Sequence, residues 1–377
     1  MKQRIALTAF LIINLLFAYK YFLRFSAYSF VISFVYLASV LGLFLFLRSS
    51  NTKWLSNSFF YFGIVALYSI CFILIFAQID PLTLKPDRWS VITNFWAAAF
   101  QGEYPYAAKS HMGNYPGPMP IYFVLALPFV WLNEIGYFSV LGLIILTIFY
   151  RRKMEPKESL ILLVLLVSSI AIFWEMFVRS TILVNAVFFF IFIRGFMNIE
   201  SKSNKKFWLS AIIAGLILST RSVFILPLVI VLVYFLKTKE YTFKQLLLWG
   251  ILLSIVFAAT FVPFVILYPT TFFKINPFIV QGEYILPTQF GFIFIGFAAI
   301  AGMLCKRKSD LLFFSGLVYL LFFFVYAGFN GIRYGFVYSY MESKTDISYA
   351  LFSVPFLLHS IFPEKEDNKR ELLQNSQ

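Results

Sequence analysis

Long apolar runs, interrupted at intervals by small clusters of Lys and Arg, occupy the chain from its first residues to about residue 362. An α-helix needs ~20 such residues to cross a bilayer core. The spacing predicts helices at about 5–22, 25–47, 58–78, 134–150, 158–175, 179–196, 207–221, 223–236, 246–268, 287–304, 310–327 and 346–362. The fold class expected is therefore an all-α polytopic membrane protein with about 12 transmembrane helices (10–13). It forms one transmembrane domain, 1–362, followed by a disordered cytoplasmic tail, 363–377, rich in charge.

Two runs are informative because they are short. Thirty residues separate Lys206 from Lys237, with Arg221 in the middle. At 1.5 Å per residue they make about 45 Å of helix, less than two crossings of a ~30 Å core. The basic flanks nevertheless require the chain to return to the same side, so a recessed hairpin is predicted with its turn at Ser219-Thr220-Arg221-Ser222. The stretch from Ser159 to Ile193 repeats the pattern, with Glu175 and Arg179 at its turn. Charges recessed in this way call for a polar cavity or polar partners.

Composition excludes most other classes. Of 377 residues, 61% are hydrophobic and 13% charged, far from the roughly 25% charged of soluble domains. The net charge of +14 would suit nucleic acid, but the positive-inside rule absorbs it. With Lys2 and Arg4 in the cytoplasm, 21 of the 31 Lys/Arg fall inside, while the acids split evenly. Both termini are then cytoplasmic, with Lys53 and Lys202 among the inner cations. The Lys2–Arg4 start resembles a signal peptide, but no small-x-small cleavage site follows, so an uncleaved first helix is expected. Cys71 and Cys305 imply no disulfide, and His111 and His359 alone make no zinc site.

The outward chemistry concentrates in 79–133. Arg88 to Gln101 reads as an interfacial helix with Trp89, Trp96 and Phe100 on one face, ended by Gly102 and Pro105. Ile121 to Leu132 is too short to span and is expected to lie along the membrane. Asp87 stands where a helix N-cap would stand; Asp80, before Pro81, reads as a turn but remains a second candidate for a functional carboxylate. Glu175 and Arg179 are spaced to pair on a helix. Arg221, Arg333 and Lys344 are outer cations suited to an anionic ligand, and Asp346 is placed to cap the last helix. Glu103 and His111 are polar loop residues open to a ligand; Tyr104, Tyr106 and Tyr115 are aromatics placed to stack on a ring. The late outer loop 269–287, with Gln281-Gly282-Glu283-Tyr284, is a further polar segment positioned to meet a ligand.

An outer loop opening with Asp87, a juxtamembrane helix, then Gly102-Glu103-Tyr104-Pro105-Tyr106 and a Tyr/Pro-rich run resembles the GT-C superfamily of membrane glycosyltransferases. The polyprenyl-phosphate-mannose-dependent branch is the most similar, and Ser219-Thr220-Arg221 before Pro227 resembles it as well. The resemblance is tight over about 80–130 and rests elsewhere on topology. It implies a polyprenyl-phosphate sugar as donor, a glycan or glycolipid as acceptor, and inversion at the anomeric carbon. It also implies Asp87 as catalytic base, with Arg221, Arg333, Lys344, Arg179, Glu103, His111, Tyr106 and Tyr115 as the substrate-binding set. The chain departs from the family in two ways: two extra helices precede the loop, and a single Asp replaces the Asp-Asp or Asp-Glu pair of some members. The second departure leaves a divalent metal requirement open, and no other cofactor is implied. The location implied is a bacterial inner membrane with the site facing outward. A lipid-linked-oligosaccharide flippase or other secondary transporter, and a surface-polysaccharide polymerase or ligase, remain as alternatives. Neither nucleic acid nor an obligate protein partner is expected.

Overall fold

Apolar side chains on nearly every face of the predicted helices leave little besides helix for the backbone to form, since an unpaired peptide group among them costs several kcal/mol. The computed structural model describes residues 1–50, 56–199, 204–284, 286–287 and 289–365, and among these every regular element is α-helix or 3₁₀ turn, with no strand. Lys53, Lys202 and the tail beyond Lys365 lie outside the described residues.

Among the described residues, four helices are long and apolar enough to cross a membrane: Lys2–Phe22, Ser29–Ser49, Ser58–Gln78 and Lys308–Tyr334. Two bent pairs, Pro120–Trp131 with Gly136–Lys153 and Pro156–Val167 with Ile170–Phe177, the latter bent by 58°, make the number up to six if each is one span. This is fewer than the twelve expected, because several apolar runs are shorter or more broken than their hydropathy suggests. Ser168-Ser169 divides the run expected at 158–175: the Ser169 hydroxyl accepts from Ile172 N and starts a new helix. The run expected at 246–268 stops at Ala259, ahead of Pro263, and the one at 346–362 is a 3₁₀ turn, Ile347–Ser353, leading into Val354–His359. Ile182–Phe196, Ser222–Thr238, Phe243–Ala259 and Gln289–Leu304 are apolar but each under 18 residues.

The chain divides into two compact units. The first comprises Met1–Gln78, Ser139–Val187 and Tyr319–Gln377. In it Lys2–Phe22 packs on Ser29–Ser49 and on the C-terminal helix Val354–His359. Buried Asn14 gathers the broken pair, its Oδ1 accepting from Ser169 Oγ at 2.8 Å and Tyr36 Oη at 3.1 Å.

The second unit comprises Ile79–Phe138 and Phe188–Val318. Two tight helix pairs build it, Ile225–Thr238 against Gln289–Leu304 and Asn204–Leu218 against Phe243–Ala259. Both depend on a glycine: a Cβ on Gly302 would lie 2.6 Å from Ile230 O, and one on Gly215 would lie 2.7 Å from Leu253 O. Small residues at such crossings let backbones approach, a packing mode suited to helices in lipid. The helix Arg88–Phe100 and the helix Pro120–Trp131 pack on each other through stacked Phe95 and Phe123, centroids 3.6 Å apart, and Trp96 Nε1 donates to Phe123 O.

Candidate functional site

Asp87 occupies the N-cap position of the Arg88–Phe100 helix, yet its side chain does not cap it. Its Oδ2 instead accepts from Ser110 Oγ at 2.6 Å and Asn114 Nδ2 at 2.7 Å. These donors sit on a turn closed by Ser110 N to Asn114 O, 2.9 Å, and by Gly113 in the left-handed region at φ +80°. The turn is fixed to the helix by its own network. Ser90 Oγ meets His111 Nδ1 at 2.6 Å, and His111 Nε2 lies 3.0 Å from Leu84 O. A carbonyl only accepts, so Nε2 carries the proton and Nδ1 takes the Ser90 hydroxyl in the neutral ring. The Asp87 carboxylate is half-buried, and its Oδ1 accepts no hydrogen bond among the described residues. A carboxylate oriented through one oxygen with the other open is arranged to accept a proton or a ligand hydrogen bond.

Asp80 behaves as a turn residue: its Oδ1 accepts from Leu82 N at 2.9 Å at the start of Pro81–Thr83.

The chain beyond the turn leads to a second feature. Proline at 116, 118 and 120 stiffens a strap, two of whose carbonyls accept side-chain hydrogen bonds. Gly117 O accepts from Gln281 Nε2 at 2.6 Å, Gln281 Oε1 accepts from Ser222 Oγ at 2.6 Å, and Pro118 O accepts from Tyr106 Oη at 3.2 Å. Met119 N and Ile121 N donate to Thr220 O and Ser219 O, which ties the predicted 219–222 turn to the start of Pro120–Trp131.

Arg221 follows immediately. It is 8% exposed, and its guanidinium lies over the Tyr122 ring, 4.9 Å from the centroid. Its Nε is buried with no hydrogen-bond partner, and no acidic side chain pairs with the group among the described residues. Trp89 Nε1 in the same unit is likewise buried without an acceptor. Native interiors satisfy such donors almost without exception, so a buried cation with an unused donor is the strongest sign of a missing anionic partner in this unit.

The other sequence candidates divide between the two units. Tyr106 is fully buried against Phe95, Phe123 and Phe264, and burial pushes its phenol well up, keeping it a neutral donor to Pro118 O. Tyr104 is also buried, its phenol pushed up by the same cause, and donates to Ile275 O at 2.6 Å. Tyr115 is half-buried, with Lys109 Nζ 4.9 Å from its ring centre. Glu103 and His111 are exposed, and the side chains of Glu283 and Tyr284 lie outside the described residues. Arg333, Lys344 and Arg179 belong to the first unit. Arg333 and Lys344 are exposed, while Lys344 O accepts from Asn330 Nδ2 at 2.9 Å. Arg179 is fully buried at φ +56°, and its Nη2 donates to Phe76 O at 3.1 Å, the end of the Ser58–Gln78 helix. Glu175 accepts from Ser348 Oγ, and Asp346 caps its turn through Ser348 N at 3.1 Å.

Sequence reasoning missed Ser110, Asn114 and Tyr122, which hold the two candidate groups from 23 or more residues away. The described residues contain no group of three or more His, Cys, Asp or Glu able to hold a metal ion. Comparison of the chain with family models, with characterised proteins and with solved structures finds no match.

Proposed function

We propose that the protein is an integral membrane glycosyltransferase of GT-C-like architecture. It moves a hexose, mannose being the first candidate, from a polyprenyl-phosphate donor to a glycan or glycolipid acceptor. The observation that carries the reading is the Asp87 carboxylate, turned from its helix end, held by Ser110 and Asn114, and open at Oδ1.

In this reading an acceptor hydroxyl attacks the anomeric carbon and gives its proton to Asp87. The new C–O bond forms as the bond to the phosphate oxygen breaks, and the electron pair leaves on the lipid phosphate. Attack opposite the leaving group inverts the anomeric centre. Arg221, buried and unpaired with any acidic side chain among the described residues, supplies the charge that the departing phosphate needs. Both groups belong to the second unit. The proposal includes a bacterial inner membrane, cytoplasmic termini and an outward-facing Asp87.

A secondary transporter is the second reading. The break at Ser168-Ser169 within an apolar run favours it, since transporters use discontinuous helices.

The test is direct: the full chain, purified in detergent, is incubated with radiolabelled polyprenyl-phosphate mannose and a glycolipid extract. Label is expected to move to the acceptor fraction. Failure with mannose and with the glucose, galactose and arabinose donors, together with vectorial movement of lipid-linked sugar in proteoliposomes, overturns the transferase reading in favour of transport.

A further inference from the structure

The first unit contains a cavity of about 510 Å³ lined by Met1, Gln3, Arg4, Ile5 and Arg48. It has no part in the chemistry proposed above. Arg4 lies in the first turn of Lys2–Phe22 and Arg48 in the last turn of Ser29–Ser49, so two packed, membrane-length helices bring their charged ends to one place. Neither guanidinium forms a hydrogen bond or ion pair with a described residue. Arg48 acts electrostatically on Glu158 without pairing with it. The backbone at this end is anchored independently: Lys157 Nζ donates to Arg48 O at 2.7 Å. Ile5 lines the cavity and is exposed, and Leu45, three residues before Arg48 on the same helix, is exposed as well.

A positive-inside bias accounts for basic residues at helix ends, but it does not require two of them to line one cavity with an apolar wall. Basic pockets between spanning helices are where anionic lipid headgroups bind. We infer that this cavity is a binding site for the phosphate headgroup of an anionic phospholipid, with Arg4 and Arg48 as its ligands and the acyl chains lying along Ile5 and Leu45. Gln3 adds a neutral donor. The same chemistry would accept free phosphate, and the acyl surface is what selects the lipid.

Native mass spectrometry of the full chain in detergent, titrated with phosphatidylglycerol, tests this. Each arginine near a headgroup is worth a factor of about five in affinity, so Arg4→Gln is expected to weaken binding about fivefold and Arg4→Gln with Arg48→Gln about thirtyfold. Arg152→Gln removes an exposed basic residue of the same unit outside the cavity and is expected to leave binding unchanged. Phosphatidylcholine is expected not to distinguish wild type from the variants. Wild-type affinity in the double variant overturns the site. So does an equal loss in Arg152→Gln, which would mean diffuse surface charge. Displacement of phosphatidylglycerol by equimolar inorganic phosphate would reassign the cavity to the free anion. The single variant keeps the test valid if the double variant elutes as aggregate.

Discussion

Replacing Arg221 by Met separates stability from binding in a way that few substitutions do. Methionine keeps a long, flexible stem against the Tyr122 ring while removing the charge and the orphaned Nε–H. The lost cation–π contact costs about 0.5–2 kcal/mol. Against that, an unsatisfied buried donor costs about 1–3 kcal/mol, and a buried unpaired charge costs several more. With only 8% of Arg221 exposed, little of that penalty is relieved by solvent. The balance favours the variant by at least about 2 kcal/mol, which at about 2 °C per kcal/mol raises the melting temperature by roughly 4 °C or more. Binding moves the other way. Losing a charge-assisted contact to phosphate costs about 3 kcal/mol, or more than a hundredfold in affinity. Thermal unfolding of wild type and Arg221→Met in detergent, with and without polyprenyl phosphate, reads both effects. Wild type is expected to melt lower alone and to gain on adding the lipid phosphate, while the variant starts higher and gains nothing. A variant that melts several degrees lower makes Arg221 a structural strut. One that still responds to polyprenyl phosphate places the anion elsewhere.

Three further outcomes follow from the packing around the site. Asn114→Leu removes one of two donors to Asp87 and is expected to lower kcat about tenfold with little change in KM, since the Ser110–Asn114 backbone turn survives. Tyr106→Phe leaves Pro118 O unpaired in a dry core and is expected to cost about 1–2 kcal/mol of stability, read by thermal unfolding, with donor affinity unchanged. Gly302→Leu drives a side chain into Ile230 O and Val233, so the Ile225–Thr238 and Gln289–Leu304 pair must separate. A loss of about 3 kcal/mol or more is expected in the same assay.

Local features were readable in the chain because local physics decides them. Gly102 and Pro105 mark the end of the helix that stops at Phe100, Pro120 starts the short helix ending at Trp131, and the break around Ser219–Ser222 falls where the charge and the short run require it. Span number was less legible, since hydropathy sees Ser168-Ser169 as part of a run while the Ser169 hydroxyl begins a new helix there. The site divides in the same way. Arg221 stood out as a charge in an otherwise uncharged thirty-residue stretch. The partners of Asp87 did not, because nothing in the spacing of Ser110 and Asn114 tells which way a loop side chain turns. N-cap position suggested a local role for Asp87 that the long-range donors outcompete. Tyr106 looked available for stacking in a Tyr/Pro-rich loop, and only the packing of Phe95, Phe123 and Phe264 around it reveals its burial.

The central claim is that the Asp87 carboxylate takes the acceptor proton, and one substitution tests it. Asparagine keeps the size of Asp87 and its ability to accept through oxygen from Ser110 and Asn114, but it cannot take up a proton. Single-turnover transfer from radiolabelled polyprenyl-phosphate mannose, compared between wild type and Asp87→Asn of equal melting temperature, is predicted to fall by about a hundredfold to ten-thousandfold with donor binding retained. Transfer within a few-fold of wild type would contradict the account and turn attention to Asp80.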